Sequence, residues 1–189
     1  GLYLKLGNPA ALNPASTQAP EGVTPAQIEQ MVVGLAAKVK ANPDDLEGLQ
    51  MLGRSYMVLG RFKEAVAAYE TLAGKRPSAE VYADWADALG SVDSSKGLAG
   101  EPEKLIAKAL QLDGNNVKAL ALAGTVAFDR KDYRTALVHW ERMATQIDPQ
   151  SEMGQSAQAM IQEARNRSTQ ASSSEPSTAA PGLRAKGHL

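Results

Sequence analysis

An all-α fold of stacked helical hairpins is what this sequence predicts, on three observations. Apolar residues recur at three- and four-residue steps over most of the chain, the period of a helix with one buried face. A set of small, aromatic and proline residues returns three times at a spacing of roughly 34 residues, the mark of a repeated supersecondary unit. Hydrophobic residues make up 43% of the 189-residue chain and charged residues 22%, enough apolar surface to build one core.

Residues 1–23 read as a linker, because Pro9, Pro14 and Pro20 stand among small polar residues. The opening Gly1-Leu2-Tyr3-Leu4 fits either the clipped end of an upstream apolar span or a frayed terminus. Thr24, Pro25 and Gln27 have the form of a helix start: a hydroxyl N-cap, proline at the first helical position and a capping box. The helix they open is predicted to run to about Lys40, with Ile28, Met31, Val32, Leu35 and Val39 on one stripe. Asn42-Pro43 ends it.

Leu49, Leu52, Gly53 and Tyr56, followed by Gly60, Ala65, Tyr69, Leu72 and Pro77, follow the order of the tetratricopeptide repeat (TPR). Each residue type has a steric role. Gly53 and Ala65 let helices A and B approach closely, Tyr56 and Tyr69 fill the space between neighbouring hairpins, and Pro77 stops helix B. A second copy runs through Tyr82, Trp85, Ala86 and Leu89, then Ile106, Ala109 and Gly114. Its first half is offset by 33 residues and its second by 37, so four residues are inserted within Ser91 to Pro102. A longer, mobile A–B loop is predicted there. The third copy is Leu120, Ala123, Gly124 and Ala127, then Ala136, Trp140, Met143 and Pro149.

From Ser151 to about Arg167, Met153, Ala157, Met160, Ile161 and Ala164 share one side of a further helix, which caps the last apolar face. Residues 168–189 are rich in Ser, Ala, Thr and Pro and read as a disordered tail. The folded unit is therefore residues 24–167: three TPR hairpins between N-terminal and C-terminal capping helices, in a right-handed superhelical array.

Several function classes are excluded at this stage. Twenty Lys and Arg against 21 Asp and Glu leave a net charge of −1 and no basic field for nucleic acid. The absence of cysteine removes disulfides, thiol nucleophiles, thiolate metal sites and CxxCH haem attachment in this chain. No stretch approaches the roughly 20 apolar residues of a membrane span. His139 lies beside Trp140 on a B helix away from the groove with no second ligand at metal spacing, and His188 lies in the tail. No glycine-rich phosphate loop or poised nucleophile is visible, so no catalytic, cofactor-binding or metal residue is expected.

Binding is the remaining class. In TPR arrays the A helices line a concave groove through the second, fifth, ninth and twelfth positions of each repeat. The candidates are Glu47, Gln50, Arg54 and Met57 in the first repeat, Ala83 and Asp87 in the second, and Lys118, Ala121, Thr125 and Phe128 in the third. Small residues leave room for a helix, Met57 and Phe128 offer adaptable apolar contact, and Arg54 suits a carboxylate. Met57 and Phe128 equally fit core positions, and Arg54 and Asp87 equally fit solvated or mutually paired charges. Trp85, Trp140, Tyr56 and Tyr69 occupy repeat-packing positions.

Five segments carry a closer resemblance: Asn42 to Gly48 (NPDDLEG), Leu52 to Met57 (LGRSYM), Ala83 to Leu89 (ADWADAL), Gly97-Leu98-Ala99-Gly100, and Lys118 to Gly124 (KALALAG). His139-Trp140-Glu141 fits too. Over about residues 24–165 the chain resembles the periplasmic domain of CcmI (CycH) proteins, departing at Leu49, a core position where that family usually shows tryptophan. The resemblance implies a cofactor-free chaperone of cytochrome c biogenesis, anchored to the bacterial inner membrane with this domain in the periplasm. There it would bind the C-terminal helix of apocytochrome c and deliver it to the haem-ligation complex. Gly1 to Gly7 would then end the anchor. Lack of thiols would keep such a carrier out of mixed disulfides with the client's CxxCH pair, unless the absence is chance. A scaffold subunit holding a fixed component of the haem-attachment complex is the alternative binding role. A haem lyase acting alone lacks a ligand pair and an acid–base constellation.

Overall fold

The computed structural model describes residues 22–174. Residues 1–21 and 175–189, with the linker, the anchor-like start, His188 and most of the tail, lie outside the described residues. Among the described residues the chain forms eight α helices and no strand: α1 Pro25–Ala41, α2 Leu46–Val58, α3 Phe62–Lys75, α4 Ala79–Val92, α5 Glu101–Leu112, α6 Val117–Asp129, α7 Tyr133–Ala144 and α8 Glu152–Ser174. The array is a TPR superhelix. The A helices α2, α4 and α6 pair with the B helices α3, α5 and α7, α4 also touches α6, and α8 packs on α7.

Local chemistry sets the helix starts. Thr24 Oγ1 accepts from the Gln27 backbone N–H at 3.2 Å while Gln27 Oε1 accepts from the Thr24 N–H at 2.8 Å, completing the capping box. Asp45, Ser78, Asn116 and Asp132 cap α2, α4, α6 and α7 in the same way, each accepting a backbone N–H three residues on. These caps fix where each A helix begins, and hence which residues share its concave face.

The small residues of the repeat act by close approach. A Cβ on Gly53 would come within 2.7 Å of the Tyr69 ring, and one on Gly124 would overlap the Trp140 indole. Trp140 Nε1 is free to donate to the Ala121 carbonyl at 3.1 Å because Gly124 leaves that space open. Tyr69, Leu72, Leu120, Leu122, Trp140 and Met143 are fully buried between the helical layers.

Two expectations differ from the structure. The inserted segment is a folded turn: Ser94–Lys96 form a 3-10 helix, and the Asp93 carboxylate accepts from the Ser95 N–H at 3.1 Å and the Ser95 hydroxyl at 2.6 Å. Gly97 and Gly100 take φ of 62° and 86°, turning the chain so that Leu98 lies over Gly90, where a side chain would meet it at 2.6 Å. A mobile loop was expected because the insertion is polar; Leu98 is the apolar residue that pins it to the second repeat's core. The capping helix α8 also continues to Ser174, seven residues past the Arg167 boundary read from the sequence. Ser, Thr, Ala and Gln signal low burial there, which an exposed final helical stretch satisfies as readily as a coil.

Candidate functional site

The second position of an A helix meets the fifth, sixth or ninth position of the A helix before it at each joint between complete repeats. Between α2 and α4, Gln50 Nε2 and Arg54 Nη2 converge on Glu80 Oε1 at 3.1 and 2.7 Å. Between α4 and α6, Lys118 Nζ lies 2.9 Å from both Asp84 Oδ1 and Asp87 Oδ2. The first joint is half exposed and screened by water; the second is buried. Burial works against the Lys118 ammonium, yet the two carboxylates outweigh it and hold its pKa above the ordinary lysine value. Burial pushes the Asp84 carboxyl up, against the opposing pull of Lys118.

These contacts divide the ten groove candidates. Glu47, Gln50, Arg54 and Met57 retain exposed surface on α2, with the Glu47 side chain 82% exposed and only a 3.5 Å approach from Arg76. Ala83, Asp87, Lys118, Ala121, Thr125 and Phe128 are buried here, and offer little side-chain surface to a ligand. The reasons differ. Ala83 and Ala121 stand in the helix-packing clusters, Asp87 and Lys118 are consumed by the ion pair, and the Thr125 hydroxyl donates to the Ala121 carbonyl at 3.0 Å. Phe128 turns toward Tyr133 and Trp140, with ring centroids 5.3 and 5.5 Å away, and the Arg167 guanidinium sits 5.0 Å above it.

Glu80 and Asp84 are the residues the sequence reading passed over. Glu80 holds the second position of its repeat, the same register as Glu47 and Lys118, and that register was the available signal. Asp84 and Asp87 lie one helical turn apart among alanines, an acidic pair on a face otherwise built to be buried.

Beside this row opens a cavity of about 650 Å³ at the N-terminal ends of α4, α6 and α8. Glu80, Asp84, Asp113 and Asp148 line it with carboxylates beside Lys118, and Val117, Ile147 and Met153 give it apolar surface. His139 lines a separate cavity of about 230 Å³ between α5, α6 and α7, where burial and then Arg142 lower its pKa. Among the described residues, no group of three or more His, Asp or Glu is placed to hold a metal ion, and no helix is long and apolar enough to cross a membrane.

Comparison with known proteins places this geometry. A family model for the cytochrome c-type biogenesis protein H TPR domain matches residues 9–154. The cytochrome c-type biogenesis protein CycH of Pseudomonas aeruginosa is 34% identical over 186 residues, covering 96% of this chain and 44% of that protein. The Escherichia coli K12 protein CcmH is 28% identical over 138 residues, 71% of this chain and 39% of its own length. NrfG, a formate-dependent nitrite reductase complex subunit of Escherichia coli O157:H7, is 30% identical over 116 residues, 61% of this chain and 58% of that one. The chain thus spans about half the length of the curated relatives it matches. A crystal structure of MamA superposes with a TM-score of 0.56 at 17% identity over 78% of this chain and 92% of that one, a likeness of fold alone. By the family model and the CycH match together, the chain belongs to the TPR-domain family of cytochrome c-type biogenesis proteins, the CcmI (CycH) group.

Proposed function

We propose that this domain is a periplasmic chaperone of cytochrome c maturation that holds the C-terminal helix of apocytochrome c on its A-helix side and passes it to the haem-ligation complex. The observation that carries the reading is the A-helix row itself. Glu47, Gln50, Arg54 and Met57 present charge, amide and thioether side by side, and the row leads past Glu80 into the 650 Å³ cavity, which has room for side chains of a docked helix. The cavity's carboxylates favour basic side chains there. The domain acts by binding, with no chemistry of its own. In the longer protein an upstream segment anchors it to the inner membrane.

Isothermal titration of the domain with a C-terminal helix peptide of apocytochrome c tests this, alongside the same peptide carrying two helix-breaking prolines. Binding of the native peptide with at least tenfold loss for the proline form is expected; equal binding of both, or none, removes the reading. A second reading is favoured by the NrfG relative, whose name marks it as a complex subunit. On that reading the A-helix side holds a fixed component of the haem-attachment complex. Stoichiometric co-purification in cells without client cytochromes distinguishes it.

A further inference from the structure

The array begins half a repeat early. Pro43 precedes Pro77 by 34 residues, and the same offset puts Met31 in register with Ala65 and Leu35 in register with Tyr69. By register α1 is a B helix. In the first and third complete repeats these two positions pack against the repeat's own helix A and are fully buried, as Ala65, Tyr69, Ala136 and Trp140 are. Among the described residues no helix A stands beside α1, and Met31 is 42% exposed with Leu35 only half buried. The next helix repeats the observation from its own side. Met51 of α2 is 50% exposed, whereas its register equivalents are buried, Leu122 on α6 within the cluster it shares with the second repeat and Asp84 on α4 against Lys118 of the following repeat.

We propose that this open end is a docking slot for an amphipathic helix of the partner polypeptide, which takes the place of the missing helix A. The inference rests on the reading that the partner presents a helix, and it adds where that helix first anchors and what it carries. Two arguments choose the occupant. The interface is a continuation of the one that recurs between repeats, so its shape is that of a helix along α1 and α2, and two methionines suit a partner of variable sequence. Charge supplies the second. At both joints described above, the second-position residue of one A helix pairs with residues at the fifth, sixth or ninth position of the helix before it: Glu80 with Gln50 and Arg54, Lys118 with Asp84 and Asp87. Glu47 holds the second position of α2 with its side chain 82% exposed, so the docked helix places a basic residue opposite it.

The test uses the full chain and a fluorescent peptide of the C-terminal helix of an apocytochrome c. Met31→Glu, Met51→Glu and Glu47→Lys all change exposed side chains, and circular dichroism with a thermal melt verifies that each variant folds. Each methionine variant is expected to weaken binding at least tenfold. Glu47→Lys is expected to weaken it about threefold and to recover with a peptide whose basic residues along one face are replaced by Glu. Wild-type affinity in both methionine variants overturns the slot while leaving the chaperone reading in place; absence of binding to the wild-type chain removes both. Sedimentation without peptide supplies the remaining arm: a dimer abolished by Met51→Glu assigns the slot to a second copy and overturns the partner assignment, and a monomer supports it.

Discussion

Lys118 holds the joint between the second and third repeats, and its two carboxylate partners make the joint asymmetric. Removing one carboxylate leaves the ammonium with the other; removing the ammonium leaves two carboxylates facing each other in a buried site. Lys118→Met is therefore expected to cost about 3–5 kcal/mol at neutral pH in urea denaturation, and Asp84→Asn clearly less. The pH dependence follows from the directions. The folded-state pKa of Asp84 is raised, so the folded chain takes up a proton more readily than the unfolded one, and the penalty of that carboxylate shrinks as pH falls through the raised value toward the ordinary one. Lys118→Met should then regain part of its lost stability on mild acidification. In the unsubstituted chain the Lys118 pKa is also raised, so its stabilisation is full below the ordinary lysine value and is lost as pH climbs through the folded one. Denaturation midpoints across pH check both signs. The register of these residues was legible in the sequence. Their pairing was not, because an ion pair between residues 34 apart depends on the distance between two A helices, which no local pattern records.

Helices were legible because their signals are local. Thr24-Pro25 and Asn42-Pro43 bracket α1, and small residues at Gly53 and Gly124 mark where an aromatic ring crosses close to the backbone. The inserted segment was legible as four extra residues and illegible as a structure, since its fold hangs on Leu98 reaching Gly90 eight residues back. Leu98→Ala removes that anchor. We expect a loss of about 1–2 kcal/mol, below the cost of a fully buried leucine because Leu98 is half buried. Hydrogen exchange should rise in residues 93–100 before it rises in α4 or α5; unchanged exchange there would mean that the 3-10 helix and its Asp93 cap hold the turn alone. The exposed methionines at the start of the array had a sequence signal too. The 34-residue offset between Pro43 and Pro77 marks α1 as half of a repeat, whereas its apolar stripe alone reads as a simple cap.

At the scale of the molecule, stacked hairpins bury a series of apolar clusters along the array and leave two unlike surfaces. The A-helix side carries the exposed Glu47–Met57 row and the acidic cavity, and the B-helix side carries the small cavity beside His139. The central claim is that a partner helix engages the first of these and not the second. Hydrogen-exchange mass spectrometry of the chain with and without saturating C-terminal helix peptide of apocytochrome c tests it most directly. Slower exchange concentrated in α1, α2 and α4, with α5 and α7 unchanged, is the predicted result. Protection confined to α5 and α7, or no protection at saturating peptide, would contradict it.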